Sequence, residues 1–375
     1  MYTPAITGTG VFTPAERISN AELVQAFNAY VDLQNARHAE AIAAGEREPL
    51  HYSSEEFIEK ASGIQSRFVM DKSGVLDPEV MHPQLRQRSD DEPGIMAEMG
   101  VDAARKALAQ AGKTAADVDA VICAASNMER AYPAVAIEIQ QILGIKGFAF
   151  DMNVACSSAT FGIQAAADMV RSGSIRSALV VNPEICSGHL EWRDRDCHFI
   201  VGDVATATLI ERQEDATGAH FEILSTRCAT EFSNNIRNNN GYLRRSRPDG
   251  VADRRDMQFM QNGRKVFKEV LPMVSQHIAD HMQAEDVTAS DLKRLWLHQA
   301  NKSMNDFIGK KVLGRTPEAG EQPNILQDYA NTSSAGSIIA FSKHSADMAD
   351  GELGLICSFG AGYSVGSVIL RHHCA

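Results

Sequence analysis

The chain has 375 residues. At about 150 residues per domain, this length suggests two domains, or one large domain built from two halves. A composition of 44% hydrophobic and 22% charged residues can bury a core, which excludes disorder as the main state, and a formal net charge of −12 argues against general nucleic-acid binding. No apolar run approaches the roughly 18 residues of a membrane span, and Met1-Tyr2-Thr3-Pro4-Ala5 lacks the basic-then-apolar pattern of a secretory leader. Seven scattered cysteines, with no CxxC pair, argue against a disulfide framework or structural zinc and fit a reducing cytoplasm.

In chain order, residues 5–12 predict a strand followed by a Thr13-Pro14 turn. Residues 21–48 predict a polar helix, with Asn20 as N-cap and Gly45 as stop. Segment 71–95, rich in proline and charge, predicts an excursion loop. An amphipathic helix over 97–112 ends at Gly112, and Ala120–Ala125 reads as a short buried strand. Helix and strand alternate to about residue 212, an arginine-rich polar stretch covers 228–256, and the alternation resumes from about 261. This rhythm predicts an α/β protein with mostly parallel sheets.

The chain also carries a repeat. Ala155-Cys156-Ser157-Ser158-Ala159 leads into a helix through Ala167-Asp168-Met169 and then the strand Ala178–Val181. Ala330-Asn331-Thr332-Ser333-Ser334-Ala335 leads into a helix through Ala346-Asp347-Met348 and then Gly354–Cys357. A strand pair follows each. These features predict two duplicated halves, 1–215 and 216–375, whose packing brings both polar tips to one centre.

One tip carries Cys156, entered from a strand expected to be buried (Phe148–Phe150) and left by a helix. A cysteine at a helix N-terminus is expected to have a lowered pKa, and the N–H groups there can hold an oxyanion. A lone cysteine in such a chain is more often packing. His298 ends the apolar strand Leu295–Leu297, and a lone histidine there is more often structural. Asn331 by itself reads as a helix N-cap. Together they form a Cys, His, Asn set suited to nucleophilic acyl chemistry.

Ala155-Cys156-Ser157-Ser158-Ala159-Thr160, His298-Gln299-Ala300-Asn301, Ala330–Ala335 and Ser358-Phe359-Gly360-Ala361-Gly362-Tyr363 resemble the β-ketoacyl-acyl-carrier-protein synthase III family. The resemblance spans nearly the whole chain. It implies a thiolase-like fold, in which two βαβαβαββ halves form a five-layered αβαβα sandwich. It implies that Cys156 takes an acyl group from acyl-CoA, that malonyl-acyl-carrier protein then loses carbon dioxide, and that His298 and Asn331 donate to the resulting enolate. The oxyanion donors are the backbone N–H groups of Cys156 and Ala361, the latter standing where the family commonly has a glycine. Decarboxylation supplies the carbanion, so no metal or cofactor is implied.

Further positions follow from the same resemblance. Arg195 matches a CoA-contacting arginine and Phe57 a tryptophan against the adenine, while a nearby family arginine falls on Ala61. Phe267 and Asn301 match substrate-tunnel positions. Tyr132 matches a residue that reaches into the partner's acyl pocket in a homodimer. Val201 stands where the family can have a bulky aromatic; with the extra segments 27–52 and 71–95, it suggests a medium-chain primer. Arg264, Lys265, Lys268, Lys310 and Lys311 match a basic surface for the acidic carrier protein. Arg244, Arg245, Arg247, Arg254 and Arg255 extend that rim or belong to a loop.

Rival readings are a quinolone- or polyketide-type condensing enzyme, a thiolase-like acyltransferase using Cys357 as a second thiol, and an inactive acyl- or carrier-binding protein. His277 and His281 predict a solvent-facing helix surface rather than a metal site. Cys197-His198 predicts packing near the CoA site. Gly8 and Gly10 lack the rest of a dinucleotide fingerprint.

Overall fold

The computed structural model describes residues 1–241, 243 and 255–375, so Arg244, Arg245, Arg247 and Arg254 lie outside the described residues. The N-terminal part runs β1 (Pro4–Phe12), β2 (Glu16–Ser19), α1 (Asn20–Arg37), α2 (Ala39–Ala43), α3 (Glu55–Ser62), β3 (Ser66–Val69), α4 (Lys72–Leu76), α5 (Ile95–Ala111), β4 (Ala120–Ala124), α6 (Val135–Leu143), β5 (Phe148–Met152), α7 (Ser158–Ser172), β6 (Ser177–Ile185) and β7 (Asp203–Arg212). It continues with β8 (His220–Ser233), β9 (Ile236–Arg237), β10 (Met260–Gln261), α8 (Gly263–Ala284), β11 (Leu292–Leu297), α9 (Lys302–Leu313), α10 (Leu326–Tyr329), α11 (Ala335–Lys343), β12 (Leu353–Gly360) and β13 (Gly362–His373).

Nine strands hydrogen-bond in the order β11-β12-β13-β8-β1-β7-β6-β4-β5. The seam between the two ends is short, with Ala5 opposite Glu222 and Ile6 opposite Phe221. Only β5-β4-β6 and β11-β12 are parallel. The sheet is therefore mixed rather than mostly parallel. β12 turns into β13 across the single residue Ala361, a connection too short for anything but an antiparallel pair.

Strand alternation sorts the core into layers. On β4, Ala120, Ile122 and Ala124 face a central cluster with α7 and α11, whereas Val121 and Cys123 face α5 and α6. On β11 and β12, Trp296 and Ile356 join the central cluster, while Leu295, Leu297, Leu355, Cys357 and Phe359 face α8 and α9. Five layers result, helix–strand–helix–strand–helix, as the sandwich expectation requires. Gly8 and Gly10 belong to this packing: a Cβ there would lie 2.2 Å from the Ala107 carbonyl and 2.0 Å from that of Ala103, so β1 and α5 meet backbone to backbone.

Several local expectations change. Ser19, not Asn20, caps α1 through a capping box with Glu22, and α1 ends at Arg37. Helix α11 stops at Lys343, short of Met348, because the next carbonyl, that of His344, accepts from Arg294 and Trp296, and Asp347 pairs with Arg294 at 2.7 Å. Strand β5 is a half-exposed edge rather than a buried strand; among the described residues nothing pairs beyond it. His277 and His281 are buried, because Ser225, Ser367 and the Arg227 carbonyl hydrogen-bond their ring nitrogens. A further lobe, built from α1, α3 and α4, packs Leu23, Phe27, Val31, Ile58 and Val75 against Trp192, Phe199 and Val201.

Candidate active site

Cys156 sits in a single tight turn, Ala155–Ser157, between β5 and α7. Ala155 has φ 47°, a left-handed conformation that costs a non-glycine residue about 1 kcal/mol or more. Asn153 steadies the bend by accepting the Ala155 N–H at 2.9 Å. From the other end of the molecule, β12 closes in. A Cβ on Gly360 would stand 2.6 Å from that of Cys156, so only glycine fits. This approach brings the Ala361 N–H to the Cys156 sulfur, beside Cys156's own N–H, and Ser333 Oγ donates to the same sulfur at 3.4 Å.

Burial pushes the Cys156 thiol up to about 11, and the charge of Glu184 adds to it; the donors from Ser333, Cys156 and Ala361 oppose the shift. This reverses the lowered pKa expected for a helix N-terminus. The dipole contributes at most about 2 kcal/mol, less than the cost of placing a thiolate in an enclosed site. Near pH 7 the Cys156 side chain is therefore a protonated thiol.

Asn331 follows Ala330, which has φ 55°. The Asn331 backbone bridges in parallel to Val201, donating to the Ile200 carbonyl at 2.9 Å and accepting from the Gly202 N–H at 3.1 Å. Its side-chain Oδ1 accepts the Ser333 N–H at 2.9 Å, so Asn331 caps its own turn, and Ser334 is the N-cap position of α11. Among the described residues the amide N–H₂ has no partner, which leaves it for the cavity that Asn331 lines.

His298 continues the β11–β12 ladder by donating its N–H to the Cys357 carbonyl at 2.7 Å. Its ring is buried and meets Phe359 edge-on, with centroids 5.1 Å apart. Burial lowers its pKa to about 4, against a weaker opposing interaction with the Ser333 backbone, so the imidazole is neutral near pH 7.

Cys156 and Asn331 line two cavities. The first, about 370 Å³, is also bounded by His298, Ala61, Phe199, Val266, Phe267, Asn301, Met304 and Gly360. The second, about 300 Å³, is bounded by Asn127, Cys186, His189, Val201, Arg237 and Ala361. Ile200, Ile236 and Phe259 wall both. Thus the structure brings together Cys156, His298, Asn331, Phe267 and Asn301 at one cavity and adds Val201 and Ala361 at the other. Asn301 is already engaged: it donates to the Ala61 carbonyl at 2.6 Å and caps α9 through the Ser303 N–H.

The remaining sequence-derived positions lie outside these walls. The Arg195 guanidinium sits 4.1 Å above the Phe57 ring, and its Nε donates to the Tyr52 carbonyl. His198, beside them, stacks on Phe27 at 4.3 Å, in keeping with a packing role. Tyr132 is 85% exposed and bounds neither cavity. Arg264, Lys265 and Lys268 project from the first turns of α8, whose Gly263, Val266, Phe267 and Val270 line the first cavity. Lys310 and Lys311 are exposed on the last turn of α9, roughly 10 Å along the helix from the cavity-lining Ser303 and Met304. Arg255 instead pairs with Asp194 at 2.9 Å. Cys357 is buried in the apolar layer and bounds neither cavity, which removes the thiolase reading's second thiol. Ser333, Glu184, Ile236 and Phe259 were not singled out by the sequence, since each lies within an ordinary strand, turn or polar stretch.

A thiol, a neutral imidazole and an amide thus line one cavity of a thiolase-like fold. The family models of 3-oxoacyl-[acyl-carrier-protein] synthase III match residues 150–231 and, for its C-terminal part, 282–372. A β-ketodecanoyl-[acyl-carrier-protein] synthase of Pseudomonas aeruginosa is 58% identical over 93% of this chain and all of its own length. A β-ketoacyl-[acyl-carrier-protein] synthase III of Acidiphilium cryptum is 36% identical over 73% of this chain and 83% of its own. Among solved structures, the 3-oxoacyl-[acyl-carrier-protein] synthase III of Aquifex aeolicus superposes with a TM-score of 0.76 at 23% identity, covering 98% of this chain and 99% of that one. The chain belongs to the β-ketoacyl-acyl-carrier-protein synthase III family of condensing acyltransferases. No described helix is long and apolar enough to cross a membrane.

Proposed function

We propose that this enzyme loads a medium-chain acyl group from acyl-CoA onto Cys156 and extends it by two carbons from malonyl-acyl-carrier protein. The observation that carries this reading is the position of Cys156 at the junction of two cavities. The first takes the thioester arm, and the second takes the acyl chain. In loading, the Cys156 sulfur attacks the thioester carbonyl, the bond to the CoA sulfur breaks, and the thiol proton ends on the departing CoA. The N–H groups of Cys156 and Ala361 hold the oxyanion. In extension, the bond to the malonyl carboxylate breaks and carbon dioxide leaves. The electron pair passes to an enolate held by neutral donors on His298 and Asn331. The enolate carbon then attacks the acyl-cysteine and the bond to the Cys156 sulfur breaks; the departing thiolate takes one proton from solvent. The reaction balances without a metal or redox cofactor.

Val201 supports the medium-chain primer, since a small side chain bounds the second cavity. The P. aeruginosa relative is named for a ten-carbon product, which corresponds to an eight-carbon primer plus two carbons. The half-exposed edge β5, which begins at the exposed Phe148, and the exposed Tyr132 and Ile137 suit a homodimer in which Tyr132 reaches the partner. The basic start of α8 suits the carrier protein, Phe57 and Arg195 suit the nucleotide of CoA, and seven free thiols suit the cytoplasm. We also infer that 1–215 and 216–375 are duplicated halves, because β4-β6-β7-β1 and β11-β12-β13-β8 run toward the seam with the same order of one parallel and two antiparallel pairings, β5 being an added edge in the first.

The test is the rate at which acyl-CoAs from acetyl to decanoyl add mass to the protein. Each buried methylene contributes about 0.8 kcal/mol, so octanoyl-CoA is expected to acylate Cys156 at least about tenfold faster than acetyl-CoA. Val201→Phe is expected to reverse that order. An acetyl preference in the wild type sinks the medium-chain reading.

A further inference from the structure

We propose that Glu184 is a positioning residue that holds the Asn331 tip in register with the Cys156 tip, an inference that rests on the roles assigned above to Cys156, His298 and Asn331. Glu184 lies near the end of β6 and is 1% exposed. Its carboxylate accepts four hydrogen bonds: from the Ser126 N–H at 3.0 Å, the Ser126 hydroxyl at 2.5 Å, the Ser334 N–H at 3.2 Å and the Ser334 hydroxyl. Ser126 follows β4 in the N-terminal half, and Ser334 begins α11 in the C-terminal half. Glu184 therefore ties the two halves together beside the cavities.

The turn it anchors touches every reacting group. One residue before Ser334, Ser333 donates its N–H to Asn331 Oδ1, its hydroxyl to the Cys156 sulfur, and interacts through its backbone with His298. A shift of Ser334 is thereby passed to His298 and Asn331 together. Cys156 has supports of its own in Asn153 and α7, so the nucleophile depends less on this anchor.

Oε1 accepts three of these bonds, from the two N–H groups and the Ser334 hydroxyl, and Oε2 accepts the Ser126 hydroxyl. A glutamine keeps one oxygen for those three donors, but it loses the charge that strengthens each bond and turns its N–H₂ toward the Ser126 hydroxyl. Among the described residues no lysine or arginine pairs with Glu184. Burial accordingly raises its pKa to about 7 despite the four hydrogen bonds. The ionisable groups its charge reaches are the thiols of Cys123, Cys156 and Cys186. An unneutralised acid beside the nucleophile is a costly arrangement for packing alone.

The experiment separates the two half-reactions in wild type, Glu184→Gln and Glu184→Asp, with melting temperature as a control. Acylation is followed by intact mass with octanoyl-CoA, and decarboxylation by the conversion of malonyl-carrier protein to acetyl-carrier protein. In Glu184→Gln, kcat for decarboxylation is expected to fall about tenfold, while its KM and the acylation rate stay within about threefold. Glu184→Asp, which keeps four acceptor sites on a shorter stem, is expected to recover part of that kcat. Equal losses in both half-reactions, in step with melting temperature, or no loss in either, overturn the inference. A wild-type enzyme inactive in both half-reactions overturns instead the function on which it rests.

Discussion

Both polar tips enter their helices through a left-handed alanine, Ala155 at φ 47° and Ala330 at φ 55°, yet they present different chemistry to the same space. At the first tip the side chain is a thiol that burial keeps protonated, surrounded by donors from its own backbone, Ala361 and Ser333. At the second the side chain is an amide whose oxygen is consumed by its own turn, leaving only donors for the cavity. In the proposed reaction, the first tip supplies the nucleophile and a cradle for a tetrahedral oxyanion. In that reaction, the second tip, with the neutral His298, supplies a cradle for a planar enolate. The two tips thereby separate bond formation at sulfur from carbanion generation in the proposed reaction.

Removing the second cradle is the largest expected effect. His298→Ala or Asn331→Ala should lower malonyl decarboxylation about 10²- to 10³-fold, the usual cost of one lost oxyanion donor, while acylation of Cys156 changes by a few fold only. Parallel collapse of both half-reactions, read by mass spectrometry and product analysis, breaks the separation.

A smaller effect sharpens the first tip. A thiol raised to about 11 is protonated at pH 7, and its thiolate fraction grows tenfold per pH unit until pH nears that value. Site-resolved alkylation of Cys156 by iodoacetamide is thus expected to quicken about tenfold for each unit from pH 7 to pH 9. A rate already level by pH 8 would mean that the helix terminus outweighs burial.

The places of Cys156, His298 and Asn331 were legible in the sequence because each stands where an apolar strand or a turn gives way to small polar residues. Their ionisation was not, because it depends on what the fold packs around them. The Cys156 setting signalled a helix terminus, whereas the approach of Gly360, 204 positions further along the chain, decides how closed the site is. His277 and His281 looked like a polar helix face because their partners, Ser225 and Ser367, lie on strands elsewhere in the chain. The edge position of β5 escaped notice because an apolar run such as Phe148–Phe150 looks the same whether or not a neighbouring strand covers it. Glu184 gave no signal, being one acid at the end of a buried strand; its meaning comes from two serines contributed by different halves.

The most direct test of the division between the tips is Cys156→Ala, given acyl-CoA and malonyl-carrier protein in separate reactions. The account predicts no acyl adduct by intact mass, together with continued release of carbon dioxide from the malonyl group at a rate set by His298 and Asn331. Loss of decarboxylation along with the adduct, in a variant that melts like the wild type, would contradict it.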